Sequence, residues 1–133
     1  MLYVEDDECD LLFMQRAFRQ AGLGDELRSV GNGQEAIDYL NGNGAYADRG
    51  HYPVPSLVLL DLNLPLVSGF KVLEWMKTRE DLAALPVVVF SSSTRPEDNV
   101  RAKELGAKDY VAKPASGSRF ADVLGRLKET WLS

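Results

Sequence analysis

The sequence predicts an α/β domain, a parallel sheet of five strands with helices on both faces. Two observations carry this. Leu57-Val58-Leu59-Leu60 and Val87-Val88-Val89-Phe90 are apolar without alternation, as in strands buried on both faces of a parallel sheet. Strand-like runs also alternate with helix-like stretches five times along the 133 residues, and repeated βα units build such a sheet. Periodicity leaves the strand order open.

Taken in order, Leu2-Tyr3-Val4 is the first strand. It is short, so it is either clipped or preceded by further residues. Glu5-Asp6-Asp7-Glu8 follows, and a helix runs from Glu8 to Ala21 with Leu11, Met14, Phe18 and Ala21 on one face. Leu12 falls on the opposite face, among Glu8, Arg16 and Arg19. Gly22 and Gly24 end the helix. Leu27 to Val30 is a second strand, and Asn32-Gly33-Gln34-Glu35 resembles an N-cap with an acid at the third position. Ala36, Ile37 and Leu40 stripe the helix it opens. Asn41 to Ser56 is a long connection, of a length that marks functional or mobile loops.

The third strand is Leu57 to Asp61, and Ser68-Gly69 starts a third helix carrying Val72, Leu73 and Met76, with Trp75 at the edge of the stripe. Pro86 to Phe90 is the fourth strand, running into Ser91-Ser92-Ser93. Thr94 to Glu97 has the form of a capping box opening a fourth helix. Val100, Ala102 and Leu105 share no tight face there, so this helix is expected to be marginally held and mobile. Asp109 to Ala112 is the fifth strand, followed by Lys113-Pro114. Ser116 is expected to cap the last helix, whose stripe is Phe120, Val123, Leu124, Leu127 and Trp131.

Composition narrows the function. The length suits one domain over residues 1–133, with no effector domain beside it. Net charge is −5 with no basic run, which lacks the footprint of a nucleic-acid binder. The single cysteine, Cys9, excludes an internal disulfide and fits a reducing compartment. No apolar run approaches the ~20 residues of a membrane span, and the acidic N-terminus is no signal peptide. These features predict a cytoplasmic protein without membrane or nucleic-acid partners.

Right-handed crossovers bring the C-terminal ends of all five strands to one edge of the sheet, where ligands of open α/β sheets bind. The residues placed there are Glu5 and Asp6 from strand one, Asp61 from strand three, Ser91 from strand four and Lys113 from strand five. Carboxylates about 4 Å apart repel by about 4 kcal/mol at an effective dielectric near 20. A divalent cation relieves this, and an all-oxygen ligand set favours Mg²⁺, which keeps room for a phosphate. Lys113 adds a point charge suited to phosphate, and the Ser91 hydroxyl can donate to a phosphoryl oxygen. Asp61 is then the nucleophile, forming an aspartyl phosphate.

Val-Glu-Asp-Asp-Glu, Leu-Leu-Asp-Leu-Asn-Leu-Pro, Phe-Ser-Ser-Ser and Tyr-Val-Ala-Lys-Pro at these strand ends resemble the receiver domain of two-component response regulators. The similarity spans nearly the whole chain. The long connection before strand three and the Asp-Leu-Asn-Leu-Pro wording are similar to the small stand-alone regulators that partner phytochrome-type sensor histidine kinases.

The resemblance implies a flavodoxin-like (βα)5 three-layer sandwich with strand order 2-1-3-4-5. It implies a phosphoryl group received on Asp61 from a kinase phosphohistidine. Mg²⁺ would be bound directly by Asp6, Asp61 and the Asn63 backbone carbonyl, and through water by Glu5. Lys113 would contact the phosphoryl group, with a cis peptide before Pro114. Ser91 and Tyr110 would form a switch, Ser91 moving toward the phosphate and Tyr110 turning inward behind it. Leu12 would meet the kinase helices. Output would pass through the fourth helix, fifth strand and last helix by protein contacts or homodimerisation, or through the C-terminal helix. An intermediate phosphate carrier in a multistep relay is the alternative. The chain departs from many family members in carrying Glu5 for aspartate, Ser91 for threonine and Ser68 for aspartate.

Simpler roles exist for several residues. Asp61 alone could be a turn or capping aspartate. Asp7 and Glu8 suit the first turn of a helix through its dipole. A half-buried tyrosine on an edge strand explains Tyr110 equally well. Cys9 and His51 have no motif around them, and Trp131 suits core or interface. A haloacid dehalogenase type of phosphatase needs a second aspartate where Asn63 stands. A flavin carrier needs a phosphate loop where four acids stand. The expectation is a signalling module, with only self-phosphotransfer and self-dephosphorylation as activity, and not an enzyme.

Overall fold

The computed structural model describes residues 1–132. Strands β1 (Leu2–Val4), β2 (Arg28–Val30), β3 (Val58–Leu60), β4 (Val87–Ser91) and β5 (Asp109–Ala112) alternate with helices α1 (Glu8–Gln20), α2 (Gly33–Asn41), α3 (Gly69–Lys77), α4 (Pro96–Glu104) and α5 (Phe120–Thr130). All strand pairings are parallel. The sheet order is β2-β1-β3-β4-β5, the flavodoxin-like arrangement that the resemblance implies.

Alternation along each central strand divides the core into two layers. Leu2 and Val4, Val58 and Leu60, and Val87 and Val89 face one layer with residues of α2 and α3. Tyr3, Leu59, Val88 and Phe90 face the other, beneath α1 and α5. Strands covered twice must be apolar at every position, hence the unbroken runs in the sequence. The register sets Val4 beside Leu60 and Leu60 beside Val89. β1 and β3 therefore end at one level, β4 runs two residues further to Ser91, and the polar residues that follow share one rim.

Local chemistry starts the helices. Asp7 caps α1 by accepting from the Asp10 N–H, and Ser68 caps α3 by accepting from Lys71. Asn32 accepts from the Glu35 N–H, while the Glu35 carboxylate returns to the Gly31 N–H, one residue before the cap. A Cβ on Gly69 would lie 2.7 Å from Leu62 Cα and closer still to the Asp61 carbonyl oxygen. Only glycine lets α3 start this near the residue that follows β3.

Three expectations are corrected. The fourth helix is not capped by a Thr94–Glu97 box. Pro96 takes the first helical position and Arg95 is the cap residue, with no side-chain cap bond. Proline suits that position and keeps the preceding residue extended, so Thr94 lies one residue too early. Ser93 serves instead, accepting from the Arg95 N–H and donating to Asp98 at 2.6 Å. Ser116 does not cap α5 either. A 3-10 turn over Gly117–Arg119 intervenes, and the Ser116 hydroxyl pairs with Ser118 at 2.8 Å. The peptide before Pro114 is trans, like every described peptide, and trans is the form X–Pro bonds favour.

The connection from Asn41 to Ser56 carries bonds of its own. Arg49 donates to the carbonyls of Tyr39, Leu40 and Tyr52, and Tyr39, Tyr46 and Tyr52 pack edge to face or tilted. At the end of α2 the guanidinium supplies a donor to the Leu40 carbonyl and a second one to the Tyr39 carbonyl, which also accepts from the Gly42 N–H.

Candidate functional site

The rim beyond the strand ends brings Glu5, Asp6, Asp61 and Lys113 together. Glu5 and Asp61 are 2% and 4% exposed, whereas Asp6 is exposed. One carboxylate oxygen from each of these three lies within 4.8 Å of the others, a grouping able to hold a metal ion. Lys113 Nζ lies 2.7 Å from Glu5 Oε2 and 3.0 Å from Asp61 Oδ2. The lysine is aimed from β5, whose register continues past its end: the Lys113 N–H donates to the Ser91 carbonyl at 2.9 Å.

Further bonds fix each carboxylate. Glu5 Oε1 accepts from the Asp7 N–H and Oε2 from the Tyr3 hydroxyl. Asp61 Oδ1 accepts from the Asn63 N–H at 3.3 Å, which turns the chain after β3 and keeps Asn63 at the cleft. Among the described residues no buried side-chain nitrogen or oxygen lacks a partner.

Electrostatics follow from burial and crowding. Burial pushes the Glu5 carboxyl up to about 7, the Asp61 charge adds to this, and hydrogen bonds from Lys113 and the Asp7 N–H oppose it. Burial alone would lower the Lys113 ammonium, but bonds to Asp10 and Glu5 and the charge of Asp61 carry it well above the ordinary lysine value. Lys113 is therefore charged throughout the physiological range. Burial also raises the Tyr3 hydroxyl, with the Glu5 charge second, so it stays a neutral donor.

Not every residue predicted for the site meets there. Ser91 is fully buried, and its hydroxyl accepts from the Ser93 N–H at 3.2 Å. Ser92 is the β4-side residue that lines the cleft. Tyr110 is half-buried, and its hydroxyl donates to the Ser93 carbonyl at 3.0 Å, tying β5 to the loop before α4. Leu12 is 58% exposed on α1, on the polar face that the sequence placed it on.

One participant escapes sequence reasoning. Asp10, in the first turn of α1, lies 2.8 Å from Lys113 Nζ. Its only sequence signal is an acid one helical turn after Asp6, and the preference for acids at helix N-termini already explains that.

Comparison with known proteins agrees with this geometry. The family model described as response regulator receiver domain matches residues 1–124. The chain is 36% identical over 132 residues to the probable methanogenesis regulatory protein FilR2 of Methanothrix harundinacea, covering 99% of this chain and 83% of that one. It is 31% identical over 132 residues to the response regulator Rcp1 of Synechocystis, covering 99% and 88%. The Mn²⁺-bound form of Rcp1 superposes with a TM-score of 0.87, at 31% identity and covering 99% and 93%. The phosphorylated cyanobacterial phytochrome response regulator RcpA superposes with a TM-score of 0.89, at 34% identity and the same coverage. With its five-stranded order, its acidic rim and its lysine, this chain belongs to the response regulator receiver domain family.

Proposed function

We propose that this receiver takes a phosphoryl group from the phosphohistidine of a sensor kinase onto Asp61. The observation that carries the reading is the Lys113 ammonium, held 3.0 Å from Asp61 Oδ2 on a rim that also presents Glu5 and Asp6. An Asp61 carboxylate oxygen attacks phosphorus. An O–P bond forms as the P–N bond breaks, and the imidazole leaves with the bonding pair, neutral because its other nitrogen holds a proton. Lys113 supplies a fixed positive charge beside the oxygens of the transferred group, and the site's main task is positioning and charge stabilisation.

The donor set fits a hard divalent cation, because it is all oxygen and one member, Asp6, is open to solvent. Asp6, Asp61 and the Asn63 carbonyl would hold Mg²⁺ directly, and Glu5 through water. Bound there, Mg²⁺ supplies the positive charge that offsets both the carboxylates and the transferred group.

Ser91 and Tyr110 are the residues through which the modified site would reach α4 and β5. Phosphorylation would bias two arrangements of that surface, which a protein partner or a second copy of the chain would read. The similarity to a phytochrome response regulator supports a phytochrome-type kinase as donor, with the chain acting in the cytoplasm. No described helix is long and apolar enough to cross a membrane. Exposed Leu12 offers the kinase an apolar contact, so Leu12→Ala is expected to slow transfer from the kinase but not from acetyl phosphate.

The test is intact-mass spectrometry after incubation with acetyl phosphate and Mg²⁺, beside Asp61→Asn. An Mg²⁺-dependent gain of one phosphoryl group, removed by hydroxylamine and absent from the variant, is expected. An unmodified wild-type chain, or a variant modified equally, would overturn the assignment.

A further inference from the structure

Three carboxylates surround the Lys113 ammonium: it donates to Asp10 at 2.8 Å and to Asp61 at 3.0 Å, and Glu5 lies beside it as an ion pair at 2.7 Å. Two of these groups belong to the site already described. The third, Asp10, comes from a different element, and its side chain is 24% exposed.

We propose that Asp10 is a positioning residue for phosphoryl transfer: it holds one N–H bond of Lys113 while Glu5 pairs with the charge, so that another N–H is aimed at Asp61 Oδ2. The inference rests on Asp61 being the phosphoacceptor.

Lysine needs such help. Its charge sits on a flexible four-carbon stem and, unlike arginine, has no rigid fork. With the Glu5 ion pair as its only other hold, the ammonium could still turn. A directed bond to Asp10 on α1 removes this freedom. Asp10 is fixed in turn. Its N–H donates to Asp7 Oδ1 at 3.0 Å, so the cap that starts α1 also sets the position of Asp10. Side chains in the first turn of a helix lean toward its N-terminus, which here is the rim.

The competing account is that Asp10 only adds negative charge, as exposed Glu8 does nearby. The two accounts differ in sign. Removing mere charge would speed uptake of an anionic donor, whereas removing an anchor slows it. A misplaced catalytic group costs rate steeply.

The experiment measures phosphoryl uptake from acetyl phosphate at saturating Mg²⁺ in the full chain, as wild type, Asp61→Asn, Asp10→Asn, Asp10→Ala, Glu8→Gln, Lys113→Ala and the Asp10→Ala/Lys113→Ala double variant. Loss of Asp10 is expected to slow uptake about tenfold. The double variant is expected to be no slower than Lys113→Ala alone, because the two residues act as a unit, and Glu8→Gln is expected not to slow uptake. A second readout needs neither metal nor turnover. The Lys113 ammonium signal in ¹H–¹⁵N NMR of the metal-free chain is expected to be sharp in wild type and broadened by Asp10→Asn. Asp10 variants as fast as wild type, a slowing that adds to that of Lys113→Ala, or an unchanged ammonium signal would each overturn the role of Asp10 alone. A wild type that takes up no phosphoryl group, or Asp61→Asn taking it up equally, would overturn the phosphoacceptor assignment and this role with it.

Discussion

Helices α4 and α5 stand on either side of β5 in the chain and are held in opposite ways. α5 buries Phe120, Leu124 and Leu127, and Val123, Trp131 and Leu132 pack against the same layer. α4 buries Ala102 alone and leaves Val100 56% exposed. Burying a leucine or phenylalanine fully contributes about 1.5–3 kcal/mol, against less than 1 kcal/mol for one methyl-sized group. What holds α4 lies at its edges: Arg101 over the Phe70 ring at 4.2 Å, a 3.7 Å ion pair to Glu74, and the Ser93–Asp98 bond. The contrast divides the labour. α5, packed on α1, forms the fixed side from which Lys113 and Asp10 reach the rim. α4 has little buried apolar surface to lose, so it is expected to open more easily than α5.

Each half of the contrast can be broken separately. The heaviest loss is expected from Leu124→Ala, which empties a buried position in α5 and should cost about 3 kcal/mol in urea unfolding. Gly117→Ala comes next. A Cβ there would lie 2.4 to 2.6 Å from three carbons of the Phe13 ring edge, so the ring or the turn into α5 must shift, at about 1–3 kcal/mol.

The rim between the fixed elements has its own pH signature. Glu5, with its carboxyl pushed up to about 7 from an ordinary 4.5, keeps a proton in the folded chain that the unfolded chain has already released. This contribution is complete below the unfolded value and is lost as pH rises through the folded one. The urea midpoint of the metal-free chain is therefore expected to fall between about pH 5 and pH 8, and Glu5→Gln to flatten that fall.

On the α4 side, Ser93→Ala removes a bond to a carboxylate and should cost about 1 kcal/mol. Hydrogen exchange in α4 should speed up while α5 stays protected. Val100→Ser is expected to stay within about 0.5 kcal/mol. A Val100 or Ser93 variant as damaging as Leu124→Ala would end the contrast.

The features legible in the sequence were those with a local physical cause. The runs Leu57–Leu60 and Val87–Phe90 are apolar because both faces of a central strand are covered, so they could be recognised without coordinates. The strand order came through resemblance and is the observed one. Asp61, Glu5, Asp6 and Lys113 were legible because a parallel sheet delivers every strand end to one edge. Ser91 was placed on its strand correctly, but the direction of its hydroxyl depends on the turn that follows.

The rest fell to a neighbouring residue that the capping motif overlooks or to tertiary structure. Thr94 and Ser116 have capping chemistry, yet a proline and a 3-10 turn shifted the helix starts. Asp10 looked like one more acid at a helix N-terminus, where the dipole already accounts for it. Its partner lies 103 positions away in the chain. Residue type and spacing report what a side chain prefers nearby; only the fold decides which of several like-charged groups comes within 3 Å of one ammonium.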